Sequence, residues 1–289
     1  MFFQLLINGL IAGSIYSLIA SGFSMIYSTN KFVHFAHGTV VAFSGYILFA
    51  LYQSLGFNFW ISAVLAIASA AFLGYFLNLV VYQPLRRKKA TSSVLLIASV
   101  GLLILLESLI LLFWGADAKT IDFIKIGKGI EIFGAIITPL QITIMCFSFA
   151  LFIFLYLFMK KTKIGKAMRA VADNKEVAEI VGISAEKIYS SSFIIGSAIA
   201  GLAGVLISLE QNLQPTTGTN LMIKGFTGAI IGGVGSVPGA ILGSYTLGLV
   251  ENFGIWFLPS GYKDAIAFVL LFIFLLFKPQ GILGIKRAK

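Results

Sequence analysis

The sequence predicts an all-α integral membrane protein, a polytopic helix bundle of about 8–9 spans. Composition is the first observation behind this. The 289 residues are 58% hydrophobic and only 11% charged, with a mean hydropathy of +0.98; an average soluble domain carries about twice that charge fraction. Run length is the second: several apolar stretches reach about 20 residues, enough to cross the hydrocarbon core as a helix, and they lack the short alternating pattern of a membrane β-barrel. The third is one-sided charge. Sixteen of the 21 Lys/Arg fall at Lys31, Arg86–Lys89, Lys160–Lys187 and Lys278–Lys289, segments that the positive-inside rule assigns to the cytoplasm. The net charge of +10 therefore reports topology, and no nucleic-acid partner is expected.

In chain order, Phe2 to Tyr27 is the first span. Met1 opens directly onto it without a basic leader region, so it reads as a retained span. The segment KFVHFAHGTVVAFSGYILFALY is shorter and is expected to be interrupted at Gly38 and Gly45. Phe57 to Tyr82 is expected to end at Pro84, before the cytoplasmic Arg86–Lys89 run, and Val94 to Trp114 returns outward. Residues 115–137 form a small outer-face loop, whose alternation of Ile/Phe with polar residues predicts a hairpin turning near 127–129. Pro139 to Met159 comes back in, residues 160–189 form a cytoplasmic loop, and Ser192 to Leu209 goes out. The run from Met222 to Phe257 is too rich in glycine for one helix; Gly232, Gly233, Gly235 and Pro238 divide it into two half-spans. Ala265 to Phe277 then leads to the basic tail. Crossing parity places the amino terminus outside, and residues 1–289 read as a single permease-like domain.

Small residues recur in two places. Gly9, Gly13, Ser17 and Ser21 make a smooth stripe for close helix packing, and Gly196, Ala200, Gly204 and Ser208 repeat it at an offset of 187. Gly38, Ala42 and Gly45 fall on Gly225, Ala229 and Gly232 at the same offset. The parity makes the two copies run in opposite directions. Inverted-topology repeats with glycine-interrupted segments point to a transport pathway, which the sequence places between His34–Gly45 and Gly225–Pro238.

The loop at 160–189 is the one long charged segment, with seven Lys/Arg and four acids. It reads as two short helices joined at a glycine. Asp173 and Glu176 have the D-x-x-E spacing of a capping box, Gly182 suits a left-handed helix end, and Ser184 is placed to cap the next helix. A solvated tether and a docking element for a soluble partner both fit this pattern.

Catalytic and metal chemistry have little to work with. There is no G-x-x-x-x-G-K-[ST] phosphate loop, since Gly165-Lys166 is followed by Ala167, and no H-E-x-x-H, G-x-S-x-G or C-x-x-C. Cys146 is alone. His34 and His37 stand three apart and would share a helix face, but no third ligand is near, so no metal and no cofactor is predicted. Glu107 lies inside LLILLESLILLF, where an unpaired charge costs about 2.5 to 3.5 kcal/mol; it must be neutralised, reach the outer interface or face a wet cavity. Glu210 and Glu251 lie near segment ends and read as interfacial.

Three motifs carry a family resemblance. GLIAGSIYSLIASGFSMIYSTNKFVHFAHG, with Phe35, Ala36, His37 and Gly38, resembles the amino-terminal region of LivH-type permease subunits of ABC importers for branched-chain amino acids; His34 stands where that family carries Asn. TKIGKAMRAVADNKEVAEIVGI resembles its ATPase-contacting loop, with Gly165, Arg169, Ala170 and Gly182 in register. Glu176, Ala178 and Gly182 fit the E-A-A-x-x-x-G spacing of such loops, where Val177 replaces the first alanine, and the coupling set is Gly165, Arg169, Asp173, Glu176, Ala178 and Gly182. GFTGAIIGGVGSVPGAILGSYTLGLVE resembles its glycine-rich carboxy-terminal segment. The resemblance implies a multi-pass protein of the bacterial cytoplasmic (inner) membrane that is not an enzyme. Its partners would be a second, LivM-like permease subunit, two cytoplasmic ATPases that hydrolyse ATP, and an extracytoplasmic solute-binding protein. Leucine, isoleucine or valine is the expected solute. Permeases for urea or short amides share the architecture and remain a rival; an ion-coupled secondary transporter using Glu107, and a scaffold that moves no solute, are rivals of other classes. The pathway set is Phe35, His37, Gly38, Gly45, Glu107, Gly225, Gly232, Gly233, Gly235 and Pro238.

Overall fold

A computed structural model describes residues 1–123, 129–132 and 134–284. It is helical almost throughout. Among the described residues, six helices are long and apolar enough to cross a membrane, and one bent helix pair adds a seventh candidate. The helices are α1 (Phe2–Asn30), α2 (His37–Leu48), α3 (Phe59–Leu77), α4 (Gln83–Arg87), α5 (Ser92–Trp114), α6 (Pro139–Lys161), α7 (Lys163–Asp173), α8 (Lys175–Ile180), α9 (Ala185–Glu210), α10 (Thr217–Gly232), α11 (Val237–Gly254) and α12 (Lys263–Phe277). The chain forms two compact units: Met1–Ser24 with Ile124–Ile153 and Ile223–Lys289, and Met25–Phe123 with Phe154–Met222.

In the first unit, glycines let helices approach closely. A side chain at Gly9 or Gly13 would strike Leu249 or Tyr245 of α11, and one at Gly248 would strike Gly9 and Gly13 in return. The α1 stripe is therefore a packing surface, as small residues at membrane helix crossings tend to be. α10 and α11 bend by 113° at their break, where Gly233 takes φ +113. The carbonyls that α10 leaves without helix partners at its end are met by the tail: Ile282 N–H donates to Ile231 O at 2.8 Å and Leu283 N–H to Gly232 O at 2.9 Å. Buried Ile231, Leu247 and Ala267 pack beneath this break with Tyr16, Leu270 and Phe274. The loop before α6 holds a hairpin of β1 (Ile130–Ile132) and β2 (Ala135–Ile137), antiparallel, with Ile130 opposite Ile137. It turns at Gly134, φ +74, later than the predicted 127–129, of which 127 and 128 lie outside the described residues. Gln4 mimics a strand beside it, exchanging two side-chain hydrogen bonds with the Ile136 backbone.

In the second unit, α2, α3 and α9 pack on one another. Ser44 Oγ donates to Gly201 O at 2.9 Å, and a side chain at Gly204 would strike the Val41 carbonyl. Two sequence expectations fail here. Neither Gly38, the second residue of α2, nor Gly45 interrupts the helix: α2 continues into a π-helical stretch, Phe49–Ser54. A mid-helix glycine costs only about 1 kcal/mol, and Gly45 uses its missing side chain to seat Leu213 and Ser208. Nor does Pro84 end the third span. α3 passes through a π-helical turn, Asn78–Tyr82, into α4, so one candidate span runs from Phe59 to Arg87. Proline lacks an N–H and clashes with the carbonyl four residues back; a wider turn ahead of it accommodates both defects.

Candidate functional site

The charged loop folds as α7 and α8. Thr162 caps α7 by accepting from Gly165 N at 3.0 Å, and α7 is strongly amphipathic. Its inner face, Met168 and Val171, packs with Ala178 of α8 and with Ala185, Ile188 and Tyr189 of α9. The α8 cap differs from the predicted one. Asn174, not Asp173, accepts from Val177 N, at 3.1 Å, while Asp173 is the last residue of α7. Asparagine caps as well as aspartate, and the one-residue shift follows from α7 running on through Asp173. Ser184 occupies the cap position of α9 without a side-chain hydrogen bond. Gly182 lies at φ +86 as its turn requires. Gly165 is buried against the end of α6, where a Cβ would strike the backbone of Phe158 and Met159.

The outer face of the loop carries Arg169, Asp173 and Glu176, all exposed. It also carries three apolar side chains the charge pattern hid: Val177, Ile180 and Val181 are 55%, 82% and 67% exposed. Their signal in the sequence is V-A-E-I-V immediately before Gly182, an apolar face on a helix otherwise read as solvated. These three side chains and the charged Glu176 and Glu179 stand side by side on α8 and the turn that follows it.

Arg86 also reaches this region. Read from sequence only as part of a basic run, it donates to Glu186 from Nε and Nη2 at 3.2 and 3.1 Å, to Asn78 Oδ1 at 2.7 Å and to Asn30 Oδ1 at 3.3 Å. It lies over the Tyr189 ring at 4.7 Å. One guanidinium thus ties the ends of α1, α4 and α9 together.

His34 and His37 do not share a helix face. His34 precedes α2 and His37 begins it; both are buried, with rings 6.1 Å apart. His34 Nδ1 lies 2.9 Å from the Tyr82 hydroxyl, among the rings of Phe32, Tyr82 and Phe193. Among the described residues no group of three His, Cys, Asp or Glu could hold a metal.

Glu251 and Glu107, in α11 and α5, differ. Glu251 is not interfacial as expected from sequence: its side chain is 0% exposed and pairs with Lys224 Nζ at 2.6 Å, while Tyr16 donates to its other oxygen at 2.8 Å. Lys224 also pairs with exposed Asp264 at 2.7 Å. No sequence spacing relates Tyr16, Lys224 and Glu251, so only folding could bring them together. Glu107, partly buried, receives one hydrogen bond, from Thr219 Oγ1 to Oε2 at 2.8 Å. It lines a pocket of about 480 Å³ with Ser108, Gln214 and Thr216.

The remaining pathway candidates fall into two groups. Phe35, His37, Gly38 and Gly45 belong to the second unit with Glu107. Gly38 lies against Gly218 and Met222, and the Gly38–Gly218 contact is reciprocal, each glycine facing the other's carbonyl. Gly225, Gly232, Gly233, Gly235 and Pro238 belong to the first unit. Gly225 packs on Ile19 and Gly232 on Gly239, Gly235 has open space around it, and Pro238 is exposed in the first turn of α11.

A sequence model of the family described as "Branched-chain amino acid transport system / permease component" matches residues 5–275. The high-affinity branched-chain amino acid transport system permease protein BraD of Pseudomonas aeruginosa is 35% identical, covering 98% of this chain and 96% of the relative. LivH of Escherichia coli (strain K12), of the same description, is 33% identical over the same shares. The probable branched-chain amino acid transport permease protein LivH of Methanocaldococcus jannaschii is 30% identical, covering 99% and 94%. The solved structure "PsaBC from Streptococcus pneumoniae in complex with Fab" superposes with a TM-score of 0.50 at 14% identity, covering 94% of this chain and 91% of that one; at that identity it speaks to fold alone. An all-helical membrane chain, matched nearly end to end at this level, belongs to the branched-chain amino acid transport permease family.

Proposed function

We propose that this chain is a pathway-forming subunit of an ATP-driven importer for leucine, isoleucine and valine in the bacterial cytoplasmic membrane. The observation that carries the reading is the family match over residues 5–275. Two cytoplasmic ATPases supply the energy, a second, LivM-like permease completes the pathway, and an extracytoplasmic binding protein delivers solute. The ATPase docks on α7 and α8, where Val177, Ile180 and Val181 offer apolar contact beside Arg169, Asp173 and Glu176. Gly182 and Asn174 fix the angle of α8, Gly165 holds α7 against α6, and Ala178 seats α8 on the cluster that includes the start of α9. Movement of the ATPase is thereby passed to α9 as a push on a rigid unit.

The chain crosses eight or nine times with its amino terminus outside, and contains two inverted repeats with half-helices at the pathway. Support comes from the helix breaks. α1 ends at Asn30 and α2 begins at His37; α9 ends at Glu210 and α10 begins at Thr217, an offset of 180 at both ends. Gly38 and Gly218, which touch, share that offset. The glycine stripes align instead at 187; seven residues are about two helical turns and leave the same face forward. Phe35, His37, Gly38, Gly45 and Glu107 would line one stretch of the pathway, and Gly225, Gly232, Gly233, Gly235 and Pro238 another.

The test is assembly and flux. Expressed together with candidate ATPase, second-permease and binding-protein chains, the chain is expected to copurify with an ATPase in mild detergent. In proteoliposomes the complex is expected to take up labelled leucine, and not labelled urea, only when ATP is present on the ATPase side. Urea uptake would reassign the solute; uptake without ATP would sink the mechanism.

A further inference from the structure

Glu107 and Glu251 are compensated unequally. Glu251 is closed off by a lysine and a tyrosine hydroxyl. Glu107 has only the Thr219 hydroxyl, on one of its two oxygens, and no Lys, Arg or His pairs with it among the described residues. A carboxylate kept inside a membrane helix without a protein cation is expensive and points to a functional site where something else supplies the opposite charge.

The surroundings of Glu107 say what that is. The pocket of about 480 Å³ has apolar walls, Ile104, Leu111 and Pro215, and polar groups from Ser108, Gln214 and Thr216. Its volume lies in the range of small-molecule sites. Gln214, Pro215 and Thr216 immediately precede α10, so this wall is the positive end of a 16-residue helix, the end that attracts anionic groups. One site thus holds a negative group, a positive helix end and an aliphatic wall. With the crossing directions proposed above, the pocket belongs to the outer half of the membrane: Glu107 is seven residues before Trp114, the outer end of α5, or about 10 Å deep.

We propose that this pocket is an outward-facing site for a zwitterionic aliphatic α-amino acid. Glu107 takes the ammonium group through its free oxygen, while Thr219 holds the other and fixes the carboxylate's orientation. The solute carboxylate faces the start of α10 at Gln214 and Thr216, and its side chain lies against Ile104, Leu111 and Pro215. A neutral amide such as urea satisfies neither charge. This inference rests on the importer reading and gives it a specificity-determining residue.

The test uses the assembled complex in proteoliposomes, with assembly checked by copurification of the ATPase. Glu107→Gln is expected to raise KM for leucine roughly ten- to a hundred-fold, the loss of one charge-assisted hydrogen bond. It is also expected to narrow the preference for leucine over 4-methylpentanoate, which lacks only the amino group; Glu107→Asp restores part of both. Leu111→Trp, on an exposed helix face where folding is insensitive to size, fills the pocket without touching the carboxylate and is expected to raise KM as well. If wild type moves leucine and both Glu107→Gln and Leu111→Trp keep its KM and its discrimination, the inference falls and the importer reading stands. If the wild-type complex assembles but does not move leucine, both fall together.

Discussion

At the scale of single residues, what matters most is which charges fold into compensation. Lys224 and Glu251 are 27 residues apart in sequence and 2.6 Å apart in space, with Lys224 13% and Glu251 0% exposed. Removing one partner strands the other; Lys224→Met is expected to cost about 3–5 kcal/mol, seen as a lowered midpoint of thermal unfolding in detergent. The double variant Lys224→Met/Glu251→Leu is expected to recover most of that loss, because no buried charge is left. Equal loss in the single and double variants would show that the pair is not the source. Gly182 poses a different constraint, its φ of +86. Gly182→Val forces a β-branched residue into the left-handed region at about 1–2 kcal/mol, relieved by tilting α8. Uptake and solute-stimulated ATP hydrolysis should fall together while the chain still inserts; unchanged coupling would exclude the proposed docking role.

At the scale of elements, the loop of α7 and α8 shows how a short helix is held. Six residues cannot sustain a helix alone, so α8 (Lys175–Ile180) depends on the Asn174 cap and on Ala178, which is 2% exposed beneath it. Asn174→Ala is expected to cost about 1 kcal/mol and to weaken ATPase copurification through fraying of α8. Ile180→Asp leaves the fold alone, since that side chain is 82% exposed, and is expected to abolish copurification outright if this face meets the ATPase. Retained copurification in Ile180→Asp and Val177→Asp would move the docking surface elsewhere. The elements also show where local rules mislead: Gly45 and Pro84 look like helix breaks, yet a close contact absorbs the first and a π-helical turn the second.

At the scale of the whole molecule, the basic segments predict one topology. In a Cys146→Ala background, a cysteine at Asn174 is expected to react with a membrane-impermeant thiol reagent only from the cytoplasmic side. One at Asp117 is expected to react only from outside. Labelling of both from the same side would overturn the crossing parity and, with it, the inverted repeats.

The helical membrane class, the division of 222–257 into α10 and α11, and the family were legible in the sequence, because hydropathy and glycine spacing are local quantities; the 8–9 crossings expected exceed the six or seven candidate helices among the described residues. The cap at Asn174 was missed by one residue, since the end of α7 decides it. The pairing of Glu251, the anchoring of Arg86 and the incomplete neutralisation of Glu107 were decided only by the tertiary structure. A buried charge is stable or costly according to what faces it, and what faces it comes from segments far away along the chain.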